Sequence, residues 1–292
     1  MSKIPDREPR IDEHASADDG RPLEELSGLA IRQPYRSAGP WLSPTAQSLI
    51  GLLGPRAAAE HAPDGQTIAS VRGGLGVFER RGHSEAIQEL VDAELGTLDG
   101  KLSSGGFVCT GPLRQTSSVW RVTAQLRGRA SLLQLWLGSQ ADALVLAGPS
   151  AHEQFQADPT LTTFSGHAQV DYVSAGEAAA VATSWLGIGP SWFRPLTVSV
   201  SRDVYDGRLR DAEVDAAAPP GLPPSLWENP WLVWQIEQEG GSSATFLNAA
   251  AAGHFQVHAN DGQAILERIP ARNVYRYLVR CFSGNPIDLD VR

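Results

Sequence analysis

Residues 119–147 read VWRVTAQLRGRASLLQLWLGSQADALVLA, and the fold turns on how they are read. Trp120, Val122 and Ala124 alternate with polar neighbours, Gly128 interrupts, and a second run occupies 131–137. Gly138-Ser-Gln ends that run, and 143–147 follows as a wholly apolar third. Short runs separated by glycine at this spacing predict strands joined by hairpins, an antiparallel meander. Residues 167–173 (HAQVDYV) supply a fourth strand.

Downstream, 174–190 (SAGEAAAVATSWLGIGP) predicts a helix with both ends specified. Ser174 and Glu177 have capping-box spacing, in which each side chain satisfies a backbone donor of the other. Ala178, Val181, Ala182, Trp185 and Leu186 recur at helical spacing, the stripe of a helix lying on a sheet. Gly187 suits a left-handed C-terminal cap, and Pro190 stops continuation. The Gly187-Ile-Gly-Pro loop follows a helix, whereas phosphate cradles precede one, so it is read as a joint and not a site. A strand at 196–201 comes next.

The same order recurs after a Pro-rich connector at 216–230. Residues 231–237, 244–248, 254–258 and 264–269 are four further strands, with Asn260-Asp-Gly as a hairpin turn. Pro270 then opens a helix with Val274, Leu278, Cys281 and Phe282 on its buried stripe. Four strands and a helix therefore occur twice, at about 119–186 and 231–282. The expected fold class is α+β: an antiparallel sheet with helices packed on it, in two pseudo-symmetric halves (about 41–200 and 225–285) of one domain spanning 41–290. Upstream, 43–54 and 84–95 predict short helices, the second capped by Ser84. Residues 71–78, rich in glycine, read as a turn or hairpin.

Residues 1–40 are polar and charged, with eight acidic and four basic residues in the first 25, and predict a disordered tail. They form neither a secretion signal nor a transit peptide, and no run is long enough to span a membrane, so a cytoplasmic protein is expected. The net charge of −9 over 292 residues argues against nucleic acid. Lysine occurs only at 3 and 101, so arginine carries nearly all the positive charge, a bias that suggests a GC-rich, actinobacterial genome. Cys109 and Cys281 are the only cysteines and are read as free thiols.

Catalytic signatures are sparse. There is no G-x-S-x-G elbow and no zincin or EF-hand pattern. His254 and His258 lie four residues apart on one strand, too far for joint chelation, and are read as a solvated strand face. Asp203, Asp206, Asp211, Glu213 and Asp215 alternate with Arg202, Arg208 and Arg210, a mixture that neutralises itself at a surface. No catalytic residue, metal or cofactor is expected. Two features favour a protein partner. Trp227, Trp231 and Trp234 cluster beside the Pro-rich joint; tryptophan is enriched at interface hot spots, and Trp227 and Trp231 are the interface candidates. Arg272, Arg276 and Arg280 form a stripe opposite the apolar face of the last helix.

Residues 178–187 (AAAVATSWLG), 194–200 (RPLTVSV) and 266–279 (LERIPARNVYRYLV), in this order within about 115–283, resemble the EspG family of actinobacterial type VII (ESX) secretion-associated proteins. The resemblance implies a non-enzymatic cytosolic chaperone or adaptor with a pseudo-twofold α/β fold, binding the tips of PE–PPE substrate heterodimers. Two other functions fit the residues: a small-molecule enzyme with its site between the halves, and an immunity protein whose acidic surface matches a toxin.

Overall fold

The structure, a computed structural model, describes residues 35, 37, 39–61, 67–71, 75, 82–155, 166–191, 194–210, 218–241 and 243–283. The strands are β1 (Trp41–Leu42), β2 (Ala57–His61), β3 (Thr67–Val71), β4 (Thr116–Leu126), β5 (Arg129–Gly138) and β6 (Asp142–Ala147). They continue with β7 (Ala168–Ser174), β8 (Thr197–Ser201), β9 (Leu232–Gln238), β10 (Ser243–Asn248), β11 (His254–Asn260) and β12 (Gln263–Ile269). The helices are α1 (Pro44–Arg56), α2 (Ser84–Asp92), α3 (Ser104–Cys109), α4 (Gly111–Arg114) and α5 (Ala151–Phe155). After them come α6 (Ala178–Trp185), α7 (Arg202–Arg210), α8 (Pro224–Glu228) and α9 (Ala271–Phe282).

Ten strands form one antiparallel sheet in the order β1-β7-β6-β5-β4-β9-β10-β11-β12-β8, and β2 and β3 form a separate hairpin. The expected α+β class and the two similar halves are both present. Each half runs edge strand, helical segment, four-stranded meander, closing helix, and in each the edge strand pairs with the fourth strand of its meander. The halves meet where β4 pairs with β9, Val122 opposite Ile236. Trp120 and Trp234 each precede that pair by two residues, so the register relates them by the pseudo-twofold.

One face of the sheet carries α6 and α9, which pack against each other across the seam. Alternation along the strands places Trp120, Val122, Leu135, Val145, Trp234, Ile236 and Phe246 beneath them. Trp234 stacks on Phe246 at 4.4 Å, and Trp120 meets Phe282 edge-on at 5.8 Å. The capping box forms on the 3-10 turn Ala175–Glu177 that leads into α6: the Ser174 backbone N–H and hydroxyl both donate to Glu177 Oε2, at 3.1 and 3.0 Å. Gly187 takes φ +61°, the left-handed cap. In α9 the whole expected stripe is buried, joined by Tyr277.

The opposite face is capped at its two ends. In the first half, Leu49, Ile50 and Leu53 of α1 and Ile87 and Leu90 of α2 cover Leu144, Leu146, Ala168 and Val170. In the second, Tyr205, Leu226, Trp227 and Trp231 cover Val200, Leu247, Phe255 and Leu266.

The structure corrects the sequence reading in several places. The 197–201 strand pairs with β12, so the division between halves falls in the Gly187–Pro190 loop and not in the connector. The connector is not simply extended: Pro224–Glu228 is a helix, and Leu222, Leu226 and Trp227 are core. Arg202–Arg210 is helical, a helix the alternating charges concealed. Ser84 is the first residue of α2 and not its cap; His83 holds the N-cap position without a side-chain capping bond. The tail reading falls outside the described residues up to 34; within 35–40, Tyr35 donates a hydrogen bond to Asp171 and Pro40 accepts one from the Val170 backbone, so both are held against β7. A Cβ on Gly39 would overlap the Val170 carbonyl, so the close approach there needs glycine. Most of the 71–78 turn, and Asp211, Glu213 and Asp215, lie outside the described residues. No helix among the described residues is long and apolar enough to cross a membrane.

Candidate binding surface

Between the two caps the middle of the sheet is left uncovered. Arg121 and Thr123 of β4, Leu132 of β5, and Gln235 and Glu237 of β9 are all exposed on this side. Register sets Arg121 opposite Glu237 and Thr123 opposite Gln235, with Leu132 on the other side of Thr123. Leu132 is 43% exposed, which is unusual for a leucine in an interior strand. Towards the second cap the surface deepens into a groove of about 250 Å³, lined among others by Thr123, Gln125, Arg202, Tyr205, Gln235 and Thr245. The α7 helix makes its wall. Burial pushes the Tyr205 phenol up to about 12, so it lines the groove as a neutral hydroxyl at any physiological pH. Arg202 is ion-paired with Asp206 one helical turn on, at 3.1 Å. The surface thus mixes amides and hydroxyls with apolar groups, Leu132 on the strip and Leu209, Val233 and Val257 in the groove, with charges in opposed pairs.

The expected partner residues divide. Arg272, Arg276 and Arg280 are exposed along α9, interleaved with the exposed Tyr275 and Val279, on the other side of the sheet from the groove. Trp227 and Trp231 are 8% and 2% exposed and belong to the second cap, so the interface reading of these rings is corrected to a core role. The indoles meet edge-on at 6.0 Å, and Trp231 Nε1 donates to the Leu226 carbonyl at 2.8 Å. Arg208 explains their arrangement. Its guanidinium lies near both rings, with Nε donating to the Trp227 carbonyl at 3.3 Å and Nη2 to the Asn229 carbonyl at 2.8 Å. Burial, and then nearby Arg127, lower its pKa from the usual arginine value. An arginine read as solvated is the pin of the second cap.

The Gly187-Ile-Gly-Pro loop is a joint held from the other half. Asn248 Nδ2 donates to the carbonyls of Leu186 and Gly187 at 3.2 and 3.1 Å, and its Oδ1 accepts from the Ala250 N–H. His254 Nε2 lies 3.1 Å from the Gly189 carbonyl. His254 is buried, against the expectation of a solvated face, because Asn248 and Ile269 flank it beneath this loop. His258 is exposed, 3.8 Å from Glu267. Burial lowers the His254 pKa, and the Gly189 hydrogen bond only partly opposes this. The unfolded chain therefore takes up a proton near pH 6.5 that the folded one refuses, and stability is complete above that pH and falls below it. Below pH 6.5, unfolding free energy is expected to drop by up to about 1.4 kcal/mol per pH unit from this group. Urea titrations at pH 7.5 and 5.5 should show the loss in the natural protein and a smaller one in His254→Gln.

Cys109 and Cys281 are free, as read. Burial raises their thiols to about 11 and about 12, so both are poor nucleophiles at neutral pH. Among the described residues no three of His, Cys, Asp and Glu come together as a metal would need. The seam between the halves, where a site of the alternative enzyme was expected, is filled by Trp120, Trp234, Phe246, Tyr277 and Phe282. A second groove, of about 560 Å³ beside the end of α9, is lined by serines, glycines and apolar residues, Ser117, Ser139, Gly176 and Val279 among them. No protein-family model matches the chain, and no curated relative was found.

Proposed function

We propose that the protein is a non-enzymatic, cytosolic protein-binding protein, an EspG-like chaperone or adaptor of a type VII secretion system, and that it receives its partner on the uncovered centre of the sheet. The observation that carries this reading is the strip from Leu132 across Thr123 to Gln235, left open between two helical caps that cover the rest of that face. An exposed leucine beside a groove lined by amides, hydroxyls and apolar side chains suits a polypeptide tip that brings both apolar contact and backbone hydrogen bonds. The pseudo-twofold arrangement of two meanders agrees with what the EspG resemblance implies. The Arg272, Arg276 and Arg280 stripe is a second contact surface in this reading, fitted to acidic helices of an assembled complex.

Copurification from the native organism tests the proposal. The natural chain is expected to emerge with a stoichiometric helical partner, and Leu132→Glu to emerge alone with an unchanged melting temperature, since residue 132 is exposed. A natural chain that is monomeric and partner-free, or a Leu132→Glu chain that keeps its partner, contradicts the reading.

A further inference from the structure

The two edges of the sheet are not alike. At one, β1 is only two residues long and lies between Pro40 and Pro44, which blunts it. At the other, β8 presents five residues, Thr197-Val-Ser-Val-Ser201, with neither a charge nor a proline among them. The Arg202 N–H donates to the Gly262 carbonyl and the Arg268 N–H to the Leu196 carbonyl. Antiparallel alternation therefore points even-numbered residues of β8 towards β12 and the N–H and C=O groups of Thr197, Ser199 and Ser201 outward. Among the described residues no strand pairs with that outward row. The α7 helix leaves the end of β8 and crosses inward over β12 to β4, away from the edge.

We infer that this edge pairs with β8 of a second copy, antiparallel about a twofold axis at Ser199, joining two ten-stranded sheets into one. This surface is separate from the uncovered sheet centre and does not depend on the partner proposed for it. The row is a near-palindrome about Ser199: Val198 and Val200 flank it on one face, and Thr197 and Ser201, both β-hydroxyl residues, on the other. Centred on Ser199, every outward donor and acceptor of both strands is matched. A shift of two residues brings in either Pro195, which has no N–H, or Asp203, which lies in α7 beyond the end of the strand. The flanks set the orientation. Exposed Arg194 precedes the strand and exposed Asp203 follows it, while Arg202 is neutralised by Asp206. Antiparallel pairing brings Arg194 of one copy towards Asp203 of the other, whereas parallel pairing would set like against like.

The test is disulfide cross-linking of single-cysteine substitutions under copper-phenanthroline, with the natural chain as the control for Cys109 and Cys281. In the proposed pairing Ser199 faces its own copy at a Cα separation of about 5.5 Å, within disulfide range. Thr197 faces Ser201, which puts the two Thr197 residues about 13 Å apart. Ser199→Cys is therefore expected to give a covalent dimer rapidly, and Thr197→Cys only at the background rate. Sedimentation equilibrium should show mass rising with concentration towards twice the 31.3 kDa chain. Ser199→Pro, which removes an outward N–H not used within the chain, should weaken the association about ten-fold or more without lowering the melting temperature measured at concentrations where the chain is monomeric. Equal cross-linking at 197 and 199, or a monomer at every concentration, overturns the inference. So does a monomer in which Ser199→Pro strips off a different protein, because the edge then takes a foreign strand.

Discussion

Trp185→Ala is expected to lower the unfolding free energy by about 4 kcal/mol, the upper range for a buried aromatic. Trp185 has no exposed surface, and it joins α6 to the sheet by both means available to an indole. Its ring fills the layer between α6 and the strands, and its Nε1 donates to the Gly148 carbonyl just beyond β6, at 2.7 Å. Alanine would leave a cavity and an unsatisfied buried carbonyl together. Trp185→Phe keeps most of the volume and should cost about 1–3 kcal/mol, the share of the carbonyl left without a donor. Urea unfolding of the three proteins measures both steps, provided the denaturant slope is unchanged. A loss under 1 kcal/mol for alanine would mean that α6 is not what closes the first half.

Arg208→Ala should cost about 3 kcal/mol and act on the second half. The substitution removes two hydrogen bonds, to the Trp227 and Asn229 carbonyls, and the cation lying near the Trp227 and Trp231 rings. Lysine would carry the charge but not the planar fork that reaches both carbonyls, so Arg208→Lys should recover less than half of the loss. Loosening this cap should also enlarge the groove, whose wall is α7. In the proposed function Arg208→Ala then weakens partner binding as well as stability, whereas Trp185→Ala, on the far face, lowers stability alone. Unfolding by urea and retention of the partner on copurification separate the two effects.

What was legible in the sequence was what local chemistry dictates. The caps of α6 are set by Ser174, Glu177 and Gly187 within one short stretch, and the stripe of α9 by residues three and four apart. The strands of both meanders follow from alternation and glycine. What was hidden depends on partners distant in sequence. Nothing within 197–201 says that β8 pairs with β12 of the second half and not with the strands before it. Trp41 and Leu42 form a strand only because β7 lies beside them. The α7 helix buries just Tyr205 and Arg208, and with Gly207 between them its sequence carries almost no helical signal. Trp227 and Trp231 had the composition of a hot spot, but only the position of Arg208 reveals that their rings face inward. The uncovered centre of the sheet had no signal of its own, because it consists of what the two caps fail to reach. Leu132, a leucine on the outward phase of β5, marks it in retrospect.

The proposed function requires a partner seated on the centre of the sheet. A photo-reactive amino acid at Gln235, on the floor of that surface, measures this most directly when compared with the same label at Leu98, an exposed residue in the loop between α2 and α3. Irradiation in the native organism is expected to join the partner to the 235-labelled chain in high yield and to leave the 98-labelled chain free. Equal labelling at both positions, or a partner captured only at 98, would contradict the account.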